Sequence, residues 1–115
     1  MNSFEDLDVW KRACRLAIST YKLLDACQDK GLFSQMTRAA VSVPSNIAEG
    51  AERHTNKEFI NFLYIAKGSV AELRTQFYLA SRLELVNIDE AKKLISEAKE
   101  LSSMLQGLIT SVKKN

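Results

Sequence analysis

Phe59, Leu63, Ala66, Val70, Leu73, Phe77 and Ala80 recur at alternating spacings of four and three residues. That interval returns side chains to one face of an α-helix and scatters them over both faces of a strand, so these residues are buried together only as a helix. Three further segments carry the same pattern. Trp10, Cys14, Ala17, Tyr21 and Leu24 mark a first helix expected from about Leu7 to Asp29, with Asp6 as N-cap and Gly31 as stop. Phe33, Met36, Ala40, Val43, Ile47 and Gly50 mark a second from about Leu32 to Glu52. The third opens on the capping box Thr55-Asn56-Lys57-Glu58 and runs to about Leu85. The fourth opens on Asn87-Ile88-Asp89-Glu90 and holds Ala91, Leu94, Ala98, Leu101, Leu105, Leu108 and Val112 on a near-heptad seam. With four glycines, one proline and no β alternation, the expectation is one all-α domain over residues 1–115, an antiparallel up-down-up-down four-helix bundle.

Several apolar residues fall outside these seams: Leu16, Ile18 and Leu23 on the first helix, Ile60, Ile65 and Leu79 on the third, Ile95 and Ile109 on the fourth. One seam per helix suffices for a monomeric bundle. A second apolar stripe points to burial against another subunit, and a homo-oligomer is expected.

The second helix contains its own difficulty, "RAAVSVPSNIAEGAER" at residues 38–53. Pro44 lacks an N–H and displaces the carbonyl of Ala40, so a kink is expected there, with a polar side chain serving the freed carbonyl. Arg38, Ser42, Ser45 and Glu49 form one polar stripe with Asn46 beside it, and Ser69, Glu72 and Gln76 form another on the third helix. Facing each other, the two stripes would make a buried polar layer in which Glu49 and Glu72 need partners, with Arg38 and Arg74 as candidates. Such a layer is either a packing device that fixes helix register or an active site built on paired carboxylates.

Packing is the expectation, with no enzymatic activity and no cofactor. The single histidine, His54, follows Arg53 at a turn and reads as a solvated loop residue. A di-iron bundle needs Glu-x-x-His on two helices, and a helical ribonuclease of the HEPN class needs an Arg several residues before a His; neither is present. There is no phosphate-binding glycine loop and no G-x-S-x-G. Cys14 and Cys27 match no zinc or redox spacing and read as reduced core thiols.

Sixteen basic and 14 acidic residues leave a net charge of +2, which does not by itself imply a nucleic-acid partner. The distribution says more. Residues 9–24 carry Lys11, Arg12, Arg15 and Lys22 and no acid. Lys11, Arg15, Ile18 and Lys22 share a helical stripe, either a solvated face or a set of salt-sensitive phosphate contacts. No exposed aromatic residue for base stacking is evident beside it. No apolar run approaches the ~18 residues of a membrane span and no signal peptide precedes the first helix, so a cytoplasmic protein without a membrane partner is expected.

The segments "FEDLDVWKRA" (4–13), "GLFSQMTRAAVSVPSNIAEG" (31–50), "EFINFLYIAKGSVAEL" (58–73) and "TQFYLA" (75–80) carry a resemblance. The chain resembles the bacterial four-helix-bundle family named after the 23S rRNA intervening-sequence protein, up to about Leu85 and more loosely beyond. The resemblance implies homopentameric rings with no established enzymatic activity. A related branch, the accessory proteins of diversity-generating retroelements, binds a reverse transcriptase and nucleic acid. On this resemblance Lys11, Arg12, Arg15, Lys22 and Arg38 are candidate contacts to RNA or DNA. Ser42, Ser45, Asn46, Glu49, Ser69, Glu72 and Gln76 are the structural polar layer, and Gly68 with Ser69 is a close-packing point on the third helix. Five copies at +2 each would carry +10. The expectation is a pentamer that associates with RNA. The alternative is a structural or protein-interaction ring, with a partner such as a reverse transcriptase and no nucleic acid.

Overall fold

Four helices form where the apolar intervals place them, and side-chain caps set the N-terminal ends of three of them. The computed structural model describes residues 3–115; residues 1 and 2 of the expected 1–115 domain lie outside the described residues. A 3-10 turn, Phe4–Asp6, precedes α1 (Asp8–Leu23), α2 (Lys30–Ala51), α3 (Asn56–Arg82) and α4 (Ile88–Lys113). Asp6 is not the cap of α1: it belongs to the 3-10 turn, which Ser3 caps, and α1 starts after Leu7 without a side-chain cap. Gly31 is not a stop either. Asp29 Oδ1 accepts the N–H of Leu32 at 2.9 Å, which starts α2 at Lys30 and draws Gly31 into its first turn.

Both predicted boxes cap their helices, each by one half. Thr55 Oγ1 accepts from the Glu58 N–H at 3.1 Å, and Asn87 Oδ1 from the Glu90 N–H at 2.9 Å. The carboxylates turn elsewhere, Glu58 to the Thr55 hydroxyl and Arg53, Glu90 to Lys93. α3 closes at Arg82 because Glu84 takes a left-handed conformation, φ 57°. The N–H groups of Leu85 and Glu84 then donate to the carbonyls of Ala80 and Ser81 at 2.9 and 3.0 Å, the bond pair of a Schellman ending.

Each helix packs on its two neighbours in the order α1, α2, α3, α4 and back to α1, and among the described residues neither diagonal pair brings Cα atoms within 8 Å of each other. The cross-helix pairs run in opposite senses: Ser42 meets Ser69 while Gly50 meets Phe62, and Lys67 meets Gln106 while Tyr64 meets Lys113. Both helix pairs are therefore antiparallel. Leu24, Met36, Ile47, Leu63, Leu73, Phe77, Leu101, Leu105 and Ile109 fill the centre. α2 runs without a break through Pro44, between the buried Val43 and Ile47.

The apolar face of α1 is shifted from the expected one. Val9, Ala13, Leu16, Ala17, Thr20 and Leu24 are buried, whereas Trp10 and Cys14 are half-buried and Tyr21 is exposed. The rings sit on the rim, Trp10 edge-on to Phe4 and Tyr21 edge-on to Phe33. Thr20 enters the core by donating its hydroxyl to the Leu16 carbonyl at 2.7 Å. Among the off-seam residues, Leu16, Ile95 and Ile109 are core, Leu23 and Ile60 pack against its edge, and Ile18, Ile65 and Leu79 are exposed.

Candidate functional site

The polar stripes of α2 and α3 meet at one point rather than along a layer. Ser42 and Ser69 share a hydrogen bond of 2.7 Å, and Asn46 Nδ2 donates to the Ser42 carbonyl at 2.8 Å and to its hydroxyl at 3.1 Å. The carbonyl served by a side chain is thus that of Ser42, not that of Ala40. Ser45, Glu49 and Glu72 are exposed. Glu49 pairs with Arg53 at 2.8 Å, one turn along its own helix, and not with Arg38 or Arg74. A carboxylate is costly to desolvate, and both glutamates take the solvent edge of their stripes. Gln76 is buried, but its Oε1 has no hydrogen-bond partner among the described residues. No paired-carboxylate centre is assembled.

The close-packing glycine is also a different one. Nothing lies within 4 Å of a Cβ built on Gly68, whereas one built on Gly50 would meet Phe62 Cβ at 2.5 Å and the Phe59 carbonyl at 3.3 Å. Gly50 is where α2 and α3 touch backbone to backbone.

The candidate cations divide. Arg12 donates to Glu100 Oε1 at 3.0 Å and reaches Met104 Sδ at 3.6 Å, a strut between α1 and α4. That hydrogen bond holds the Arg12 guanidinium above its ordinary pKa and Glu100 below the usual carboxylate range, with Coulombic attraction between the two adding to both. Lys11, Arg15 and Lys22 stay exposed. Arg12, Arg15 and Lys22 line an α1–α4 groove of about 460 Å³ opposite Glu97. Arg38 stands apart, in an α2–α3 cleft with Gln35, Ser42 and Glu72.

Most charges on α4 are sorted by side, though Lys93 lines the α1 groove beside Glu90 and Glu97. Glu90 and Glu97 line the groove shared with α1, and Glu100 binds Arg12. On the α3 side, Lys113 Nζ lies 3.0 Å from the Tyr64 hydroxyl and Lys67 Nζ donates to Gln106 Oε1 at 2.7 Å. The Lys113 hydrogen bond holds the Tyr64 phenol below its ordinary pKa. Tyr64 and Tyr78 are exposed aromatics that the sequence reading missed. Their signal was present: Tyr64, Lys67, Ala71, Arg74, Tyr78 and Arg82 follow one another at spacings of three and four.

Among the described residues, no group of three or more His, Cys, Asp or Glu side chains could hold a metal ion, and no helix is long and apolar enough to cross a membrane. Cys14 and Cys27 are unpaired and half-buried rather than core, and burial pushes the Cys14 thiol up. His54 is exposed in the turn before α3.

Residues 5–107 match the family described as "23S rRNA-intervening sequence protein", which extends the likeness past Leu85 and through most of α4. No curated protein matches the chain. A solved structure of a protein with unknown function, from the S23 ribosomal protein family of Bacteroides thetaiotaomicron VPI-5482, is 21% identical. It aligns with a TM-score of 0.81 over 88% of this chain and 97% of that one, a likeness of fold.

Proposed function

The chain belongs to the 23S rRNA-intervening sequence protein family, and on that premise we propose a non-enzymatic, homo-oligomeric bundle, pentameric and cytoplasmic, that associates with nucleic acid and with RNA in particular. The observation that carries the reading is the acid-free run of α1, which leaves Lys11, Arg15 and Lys22 exposed. Cations so placed engage phosphates without reading bases, and an oligomer repeats them at fixed intervals. The exposed Ile18, Ile65 and Leu79 support self-association. The unpaired cysteines fit a reducing compartment.

Light scattering coupled to size exclusion, with and without a mixed RNA pool at moderate and high salt, tests the reading. A particle near five times 12.9 kDa that shifts with RNA at moderate salt only is the expected result. A particle that ignores RNA would favour a second reading, a protein-interaction ring with a partner such as a reverse transcriptase. Glu97 and Glu100 favour that alternative, because they face the α1 cations and offset part of their charge.

A further inference from the structure

The face shared by α3 and α4 carries cations and exposed rings, with Asp89 as its one acid, at the start of α4. On α3, Lys67, Arg74 and Arg82 alternate with Tyr64 and Tyr78 along a stripe of about 27 Å at the helical rise. On α4, Lys92, Lys99, Gln106 and Lys113 recur every seven residues and so share one face. The Lys67–Gln106 contact aligns the two stripes. Two turns onward on α3 and two turns back on α4, the same antiparallel register sets Arg74 alongside Lys99, and a further two turns bring Lys92 to the level of Arg82. The other acids flanking the two stripes point elsewhere. Glu72 lines the cleft with α2, and Glu90, Glu97 and Glu100 face α1.

The rings are available. Tyr64 is 43% exposed and Tyr78 38%, each on the surface of a rigid helix. Each already has a cation against it, Lys113 Nζ at 5.3 Å from the Tyr64 centroid and the Arg82 guanidinium at 5.9 Å from that of Tyr78. A positively charged track with aromatic platforms about 21 Å apart suits a strand whose bases are unpaired. Paired bases in a duplex have their faces covered by their neighbours and cannot use the rings. The α1 groove differs in both respects: it has acids in it, and its cations are not interleaved with accessible rings.

We propose that the α3–α4 face, where Tyr64 and Tyr78 alternate with Lys67, Arg74 and Arg82, holds single-stranded nucleic acid by base stacking between phosphate contacts. The proposal rests on the nucleic-acid reading above and adds to the α1 cations a second contact, on the opposite side of α4.

Fluorescence anisotropy with a labelled mixed-sequence RNA 20-mer, single-stranded and annealed to its complement, tests it on the full-length protein. The variants are Tyr64→Leu/Tyr78→Leu, Lys67→Gln/Arg74→Gln and Lys11→Gln/Arg15→Gln/Lys22→Gln. The wild type should bind the single strand more tightly than the duplex. Loss of both rings should weaken single-strand binding about tenfold or more and leave duplex binding unchanged. Loss of Lys67 and Arg74 should weaken both and flatten the salt dependence. Tyr64→Phe/Tyr78→Phe, which keeps the stacking surface, should bind as the wild type does, and circular dichroism confirms that every variant is helical. Binding lost only in the α1 variant, with the tyrosine variant unaffected, overturns this proposal and leaves the nucleic-acid reading standing. No binding of either RNA at low salt overturns both.

Discussion

A Cβ placed on Gly50 would lie 2.5 Å from Phe62 Cβ, closer than two such atoms approach in folded proteins. The clash is with an atom fixed to the α3 backbone, so no side-chain rotation relieves it. Gly50→Ala must therefore push α2 and α3 apart, at a cost of about 1–3 kcal/mol. Gly68→Ala meets nothing within 4 Å at an exposed position inside α3 and should stabilise by roughly 0.5–1 kcal/mol through helix propensity. Urea denaturation of the two variants, with opposite shifts expected in the midpoint, checks the assignment. A gain from both would mean that the helices are not in backbone contact at Gly50.

Glu84 occupies the left-handed position after α3, where a side chain is disfavoured. Glu84→Gly should keep the Leu85-to-Ala80 bond and stabilise by about 1 kcal/mol. The same denaturation series reads it, and a loss of stability would show that the carboxylate has a role its φ does not reveal.

The Ser42–Ser69 bond predicts coupling. Ser42→Ala and Ser69→Ala should each cost about 1 kcal/mol, and the double variant should cost clearly less than the two together. Asn46→Ala should also destabilise, since Asn46 holds both Ser42 oxygens. Glu49→Gln and Glu72→Gln, at exposed positions, should stay within about 0.5 kcal/mol of the wild type. Gln76→Met removes a buried oxygen that has no partner and should be neutral or stabilising. Simple additivity of the two serine variants would dissolve the contact as an energetic unit.

Glu100 gives the stability an acid dependence. Its carboxyl is held below its unfolded range by the Arg12 hydrogen bond and charge, so the contribution is complete above that range and disappears as pH falls through the lower folded value. Between about pH 7 and about pH 3 the wild type should lose stability that Glu100→Gln lacks from the start. Parallel melting temperatures for the two proteins across that interval would contradict the assignment.

Tyr64 should ionise below the ordinary tyrosine range, because Lys113 favours its phenolate. An ultraviolet absorbance titration should show a step for Tyr64 that Lys113→Met moves to higher pH. Unchanged titration in that variant would place Lys113 away from the ring.

Local chemistry made much of this fold readable. Thr55 and Asn87 announce their helices through bonds that span only three residues, and the α3 seam lies where helical spacing puts it, whereas on α4 Leu108 stands at the edge of the core and Ile95 and Ile109, off the expected seam, are inside it. α1 was misread because Trp10 and Tyr21 count as hydrophobic, while the folded chain uses them as rim residues and buries Val9, Ala13 and Thr20. Periodicity put Gly50 and Gly68 both on helices. Which of them meets a neighbour depends on how each helix is turned about its axis, a property of the assembled bundle. The polar stripes were legible as stripes, and Ser42, Asn46 and Ser69 do come together. Glu49 and Glu72 lie only a fraction of a turn away, and that fraction separates a shared hydrogen bond from open solvent.

The sorting of charge on α4 also bears on how the chain finds one arrangement. A small rotation of α4 about its axis changes its apolar contacts little, because leucine and isoleucine repack at modest cost. Glu90, Glu97 and Glu100 do not tolerate it. A turn that moves Glu97 and Glu100 off the α1 border leaves Arg15 and Lys22 without a facing acid and strips Arg12 of the carboxylate that binds it. The α1 cations would then stand together without the acids that offset them, whereas in the matched arrangement even Lys93, which lines the same groove, is paired with Glu90. The helix thus carries its own indicator of orientation, written in charge, for the last element of the chain to dock.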